Sequence, residues 1–328
     1  MNQEVTKLSR PGKERTLSSA APQAGQQHKS GLRLRKKARA ASRKKAVVTY
    51  TAWALILPSL LFLCVFTLYP ILQTLFGSLF SENLSQVQAV FIGIQNYIDL
   101  FHDNVFRRSF WNNLIVAAVT IPADIIIALA MALFANTVRH ARWLVRAAFF
   151  YPVILPMIAC ANIWLFIYTP QYGLIGLINS TCNLLGTPST VLPALLIMLI
   201  WKQSGYFMIF YLSGLQNISS DVYEAAQIDG AGSFRIFRCV TWPLLKPITL
   251  FAGIIALTDS YKIVDYLYLM TDGGPNNSSN MLLYYVYQTG FNFWDIGKAS
   301  AITSMLAIFL LLISAFSFFR QDKKIFYS

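Results

Sequence analysis

Polar and apolar positions fall in long blocks along this chain, with little of the short alternation that marks strands or half-buried helices. Val47–Phe80 runs for 34 residues without a charge, and later apolar blocks cover Leu114–Ala135, Ala147–Tyr168, Val191–Leu215, Leu244–Met270 and Ala301–Phe319. Each is long enough to cross a hydrocarbon layer as a helix. The pattern predicts an all-α integral membrane protein with six spans, and shows no internal repeat. The first block would make a helix about 50 Å long, well beyond a core of roughly 30 Å. Part of it must therefore emerge, and Pro58 and Pro70 offer places to bend.

Composition agrees: 55% of the residues are apolar and 12% charged, roughly half the charged share of a globular domain. The net charge of +13 would fit a nucleic-acid binder if it were spread over the chain. It is not. Residues 1–45 hold 13 Lys or Arg against Glu4 and Glu14, which leaves only +2 for everything beyond them. No Phe, Tyr or Trp precedes Tyr50, so the stacking groups of a single-strand binder are missing and no nucleic-acid partner is expected. The lead is too long for a cleaved signal peptide, and a mitochondrial transit peptide is the lesser alternative. We read residues 1–45 as a disordered, basic cytoplasmic arm near anionic membrane lipid, and 46–328 as the transmembrane domain.

Basic residues also set orientation, because they collect in cytoplasmic segments. With the N-terminus inside, the inner segments are the arm, Asn136–Arg146, Gln216–Lys246 and the C-terminal end, holding 22 of the 27 Lys and Arg. The outer segments hold four, Arg107, Arg108, Lys262 and Lys298; Lys202 remains within a span. Both termini are expected in the cytoplasm. Cys64, Cys160, Cys182 and Cys239 and the three histidines, His28, His102 and His140, are scattered, so neither a metal nor a redox site is expected.

The segment "DVYEAAQIDGAGSFRIFRCVTWPLLKP", Asp221–Pro247, then lies on the inner face. Asp221 is a good helix N-cap, with Glu224 three residues on in capping-box position. Ala225 and Ala226 keep that helix thin, and Gly230 permits a turn that bulkier residues resist. Ser233 is placed to cap a second short helix, which Pro243 would stop before the next span. A small helix-turn-helix results; a plain amphipathic loop resting on lipid is the alternative.

Glu224-Ala225-Ala226, Gly230 six residues after the glutamate, and Pro243 thirteen further on resemble the EAA loop of membrane subunits of binding-protein-dependent ABC importers. Val240 and Trp242 stand where the family usually has Ile and Leu. The stretches "FIGIQNY", "WKQSG", "IDGAGSFRIF", "MTDGGPNNSS" and "DIGKASAI" resemble the carbohydrate-uptake branch, similar to maltose and glycerol-phosphate permeases. The resemblance covers about residues 50–320 and implies a type I importer permease fold of six helices, with the coupling loop at 216–246. It implies that Glu224, Ala225, Ala226, Asp229, Gly230 and Pro243 couple to a cytoplasmic ATPase dimer. It further implies a second, related permease subunit, an extracytoplasmic solute-binding protein, and a bacterial cytoplasmic (inner) membrane location. No phosphate-cradling G-x-x-x-x-G-K-[ST] occurs, so ATP would be bound by the partner and this chain would carry no cofactor.

For the cargo path, Thr258, Tyr261, Asp265, Tyr268 and Asp272 follow helical offsets that put them in one stripe of the fifth apolar block. Lys262 lies beside the stripe, at pairing distance from Asp259 or Asp265. Hydroxyls and a carboxylate beside aromatic faces suit a sugar, an oligosaccharide or a related solute. The alternative is an ion cluster at the outer interface with belt tyrosines. Asp124 and Lys202, ionisable groups inside spans, are what a self-sufficient secondary transporter or channel would display. The plainer reading is that each is satisfied inside the bundle. No G-x-S-x-G, no H-E-x-x-H and no His/Asp/Glu cluster within a span supports an enzyme.

Overall fold

The computed structural model describes residues 52–82, 88–138, 140–262 and 264–322, with side chains up to 316. The basic arm lies outside the described residues, as does the end of the chain. Five helices are long and apolar enough to cross a membrane, and a bent helix pair makes a sixth candidate.

The first, α1 (Ala52–Gly77), carries exposed Trp53, Phe62, Phe66 and Tyr69, an apolar surface suited to lipid. Its irregularity is a π turn, Cys64–Leu68, and not a kink at Pro58. Pro70 has no N–H for the carbonyl of Phe66, and the wide turn lies just where that bond is lost.

After α1 a two-residue ribbon pairs β1 (Phe80–Ser81) antiparallel with β2 (Val90–Phe91), Phe80 opposite Phe91. Helix α2 (Gln95–His102) leads to α3 (Asn104–Thr137), whose N-cap Asp103 accepts from the Val105 and Phe106 N–H groups. Next come α4 (Arg142–Ile154), α5 (Met157–Tyr168), the short α6 (Leu174–Ile178) and α7 (Val191–Asn217).

The third apolar block does not form the single straight helix its composition predicts. Helices α4 and α5 meet at 95° across Leu155 and Pro156. Pro156 drives its predecessor into extended conformation, and Leu155 sits at φ −65°, ψ 137°.

The segment after α7 departs from three expectations. Helix α8 (Ser220–Ile228) is capped by the Ser219 hydroxyl, which accepts from the Asp221 N–H at 3.3 Å; Asp221 sits in the first turn and is not the cap. Ser233 opens α9 without capping it, and Gly232 holds the cap position. Pro243 does not end that helix either. Helix α9 continues from Ser233 through a π turn, Phe237–Thr241, to Tyr261. Pro243 lacks the N–H for the Cys239 carbonyl, and the wide turn absorbs the mismatch as it does before Pro70. The chain closes with α10 (Asp265–Met270), α11 (Leu282–Tyr287), a π turn at Gln288–Asn292, and α12 (Ile296–Asp322).

From Ile71 onward the helices bury three apolar clusters. Helices α3 and α7 pack along one another, and with α9 they enclose Ala128, Ala132, Phe207, Tyr211, Leu245 and Ala252. A second cluster joins α5 and α7 to α10 and α11 through Tyr168, Leu195, Met198, Tyr266 and Tyr284. The third joins α2, α3 and α9 to α11 and α12 around Leu100, Phe106, Tyr261, Leu282 and Ile302. The small residues of α3 and α7 let backbones approach, as expected where lipid leaves no hydrophobic drive between helices.

Candidate functional site

Many of the residues singled out above gather at two places, the turn between α8 and α9 and a cavity among α3, α7 and α9.

At the turn, Gly230 has φ +73°. Its N–H reaches the Gln227 carbonyl at 3.0 Å, and the Ala231 N–H reaches Ala226 at 3.0 Å. That pair of bonds is a Schellman cap, which requires the left-handed residue glycine supplies most readily. A Cβ on Gly230 would meet nothing within 4 Å, so conformation alone selects glycine here. The helix-turn-helix expected from the sequence is present, tied back by Tyr223 and Thr241, whose hydroxyls lie 3.4 Å apart. Helix α8 has no buried residue; Glu224, Ala225 and Asp229 are exposed and Ala226 is half-buried. Pro243 lies half-buried beyond the π turn. Beside the turn, Ile228 is 86% and Phe234 75% exposed.

The cavity measures about 300 Å³ and is lined by Thr120 and Asp124 of α3, Lys202 and Gln203 of α7, Asp259 of α9, and Lys262 and Asp265 after it. Its size is at the lower edge of small-molecule sites. Asp124 is 3% exposed, and its Oδ1 has no hydrogen-bond partner among the described residues. Gln203 Nε2 approaches Asp259 Oδ2 at 3.5 Å, while Lys262 Nζ pairs with Asp259 Oδ1 at 3.7 Å.

Lys202 has a different role. Its ammonium donates to the carbonyls of Pro152, Val153 and Leu155 at 2.7, 2.9 and 2.6 Å. These are acceptors left open where α4 ends at the 95° bend. The lysine caps a broken helix from across the bundle. Of the two intramembrane ionisable groups, Lys202 is satisfied and Asp124 Oδ1 is not.

The stripe proposed for the cargo path is broken. Helix α9 stops at Tyr261, with the Lys262 N–H turned back to the Asp259 carbonyl at 3.1 Å, so angles counted onward to Tyr268 and Asp272 do not hold. Lys262 and Asp265 do reach the cavity. Thr258 donates to the Ile254 carbonyl of its own helix at 2.9 Å, and Tyr261 is buried against Leu257 and Ile302, its ring 5.8 Å from that of Phe309. Tyr268 is exposed, edge-on to Tyr287 at 6.2 Å, and Asp272 accepts from the Tyr284 hydroxyl in the loop beyond. The pairing of Lys262 falls to Asp259.

That loop, the "MTDGGPNNSS" stretch, is held by α3 residues the sequence reading passed over. Asn112 Nδ2 donates to the carbonyls of Asn277 and Asn280 at 3.0 and 2.9 Å. Asn113 accepts from the Leu282 N–H at 2.7 Å and donates to the Ser260 carbonyl at 3.2 Å, and Arg108 reaches Ser278 Oγ at 2.8 Å. Two adjacent asparagines at the edge of an apolar run were the available signal. Asn113 joins the end of α9 to the start of α11, just beside the cavity wall at Ser260.

Comparison with known proteins places this architecture. The sulfoquinovosyl glycerol transport system permease protein SmoG of Agrobacterium fabrum is 32% identical over 270 residues, covering 80% of this chain and 87% of that one. The trehalose/maltose transport system permease protein MalF of Thermococcus litoralis is 31% identical over 264 residues, covering 79% and 89%. Among solved structures, a bacterial ABC transporter involved in the import of the acidic polysaccharide alginate superposes with a TM-score of 0.75 at 21% identity, over 85% of this chain and 98% of that one. At that identity it supports the fold. The family described as binding-protein-dependent transport system inner membrane component matches residues 124–323, the stretch from Asp124 through the α8–α9 turn to the end of α12. With its long apolar helices and that match, this chain is a membrane permease component belonging to that family.

Proposed function

We propose that this chain forms half of the translocation path of an ATP-driven importer for a sugar, an oligosaccharide or a related solute, in a bacterial cytoplasmic membrane with both termini inside. A second, related permease subunit supplies the other half, and an extracytoplasmic solute-binding protein delivers the cargo. A cytoplasmic ATPase dimer binds and hydrolyses ATP. The α8–α9 turn is the coupling element. The observation that carries this reading is its form: a Schellman turn at Gly230, flanked by exposed Ile228 and Phe234, at the head of a helix that continues into a span. Apolar side chains so exposed beside a rigid turn fit a groove on a partner, with the Glu224 carboxylate available to a basic group at its rim. Because α9 runs unbroken from Ser233 to Tyr261, movement of the turn is carried toward the cavity that Asp259 lines. Relatives named for sulfoquinovosyl glycerol and trehalose/maltose support a sugar-like cargo. The cavity, with Lys262 and Asp265 at its edge, serves as part of the path; Thr258, Tyr261 and Tyr268 do not line it.

The test is Gly230→Val in the assembled importer. Valine disfavours positive φ, at a cost of about 1–3 kcal/mol, and no neighbour crowds it, so only the turn is changed. Transport and solute-stimulated ATP hydrolysis should fall at least severalfold with the protein still present in the membrane. Gly230→Asn, which tolerates the left-handed conformation, should retain more of both. Normal transport by Gly230→Val would remove the coupling role from this turn.

A further inference from the structure

Between the start of α4 and the end of α7 lies a groove of about 310 Å³, away from the cavity described above. Its lining is ordered along the helices. Arg146 comes from the start of α4, and Ser213 and Gln216 come from the end of α7. Phe150, Met208 and Ile209 lie deeper, by about one turn. Beyond them the helices come together, where a Cβ on Gly205 would lie 2.2 Å from the Phe149 carbonyl oxygen. From Met208 to Gln216 the groove follows α7 for about 12 Å, close to the roughly 15 Å of hydrocarbon in one leaflet. Arg146 is the group left unanswered. Its Nε is buried with no hydrogen-bond partner among the described residues. Nor does it enter the ion pairs found among them, Lys262–Asp259 and Lys298–Asp103. A buried donor on a charged group is costly until an acceptor meets it.

We propose that this groove seats an anionic phospholipid of the cytoplasmic leaflet, with its phosphate on Arg146, Ser213 and Gln216 and an acyl chain against Phe150, Met208 and Ile209. The choice of leaflet rests on the orientation proposed above. A guanidinium fork matches phosphate oxygens, and the exposed Ser213 hydroxyl and Gln216 amide add donors beside it. The cytoplasmic leaflet carries the negative charge, and basic pockets between spans on that side suit its headgroups. A soluble anion would leave the apolar half of the groove unfilled. An apolar helix of a partner would leave Arg146 unanswered. An anionic amphiphile satisfies both ends.

The experiment uses native mass spectrometry on the assembled importer in detergent, with phosphatidylglycerol and phosphatidylcholine of matched chains as probes. Phosphatidylglycerol should bind more tightly, by about tenfold or more. Arg146→Gln should weaken phosphatidylglycerol about tenfold and leave phosphatidylcholine unchanged, while Arg146→Lys retains part of the preference. Arg142→Gln is the control, one turn away with its Nε already on the Val138 carbonyl at 2.7 Å, and should change little. Melting in phosphatidylcholine shows whether each variant is folded. Gln216→Leu, at an exposed position, is a second variant that should weaken phosphatidylglycerol roughly threefold. Equal binding of the two lipids would overturn the proposal, as would equal losses from Arg142→Gln and Arg146→Gln. Glycerol 1-phosphate competing as strongly as the whole lipid would overturn it too, since the apolar half would then be idle. Crosslinking of Ser213→Cys to the second permease subunit would make the groove a subunit seat and overturn it likewise. None of these readouts uses transport, so their failure leaves the importer reading standing.

Discussion

A lysine inside an apolar helix is costly unless its N–H groups are used, and Lys202 uses all three. Replacing it by Met keeps the stem and strands the carbonyls of Pro152, Val153 and Leu155, at a cost of roughly 3 kcal/mol. The Lys202→Met protein should melt several degrees lower in detergent. Lys202→Arg should restore only part of the loss, since a planar fork does not fit three carbonyls around one point. An unchanged melting temperature would mean that the bend holds without its cap. A second ionic residue acts outside the spans. Burial alone would raise the Asp103 carboxyl, but hydrogen bonds from Lys298 at 2.6 Å and Tyr285 at 2.5 Å hold it below its ordinary value of 3.8. A depressed carboxylate stabilises the fold above its unfolded pKa, and that stability fades as pH falls through the folded value. Thermal stability should therefore decline below about pH 4, and Asp103→Asn should flatten that decline while lowering the plateau above it. The sequence made Lys202 and Asp124 conspicuous for one reason, charge within a span. It did not distinguish them, because the partners of Lys202 come from a bend some fifty residues earlier whose geometry no local pattern contains.

Among elements, length and apolarity were legible and breaks were not. The blocks at Leu114–Ala135 and Val191–Leu215 sit inside α3 and α7, since an uninterrupted apolar run leaves a helix as the one way to satisfy its backbone in lipid. The fifth block was misplaced at both ends: α9 begins eleven residues earlier, through Pro243, and stops at Tyr261. A π turn can rescue a proline, so Pro243 was not a reliable stop. The stop that does occur depends on the Lys262 N–H turning back toward Asp259. The cargo stripe failed with that helix, whereas the residues adjoining its end, Lys262 and Asp265, still reached the cavity. Close packing of elements gives a separate prediction. A Cβ on Gly205 of α7 would lie 2.2 Å from the backbone carbonyl oxygen of Phe149 in α4, whereas one on Gly214 would first meet the tip of Ile248 at 2.0 Å. Backbone cannot yield as a side-chain end can. Gly205→Ala should destabilise by about 1–3 kcal/mol and push α4 from α7, and Gly214→Ala by clearly less. Paired melting curves decide it; equal losses would show that the α4–α7 approach is not rigid.

For the whole molecule, the parity of membrane crossings fixes which face each loop occupies, and it turns on the bent pair. Helices α4 and α5, of 13 and 12 residues, are each about 20 Å long or less, too short to cross a core of roughly 30 Å alone. Counted together as one crossing, they put Thr187 outside and return α7 to the cytoplasm at Ser220. Counted as a re-entrant hairpin, they leave Thr187 inside and place Ser220, with the whole α8–α9 turn, outside the cell. The distribution of basic residues favours the crossing: even without the arm, nine Lys or Arg lie in the inner segments against four in the outer ones. Reporter fusions should read external at Thr187 and Asn277 and internal at Ser220. An internal Thr187 with an external Ser220 would make the pair re-entrant and separate Gly230 from any cytoplasmic ATPase. The coupling role would then fail even if Gly230→Val abolished transport, because the turn would sit on the side of the membrane that ATP does not reach.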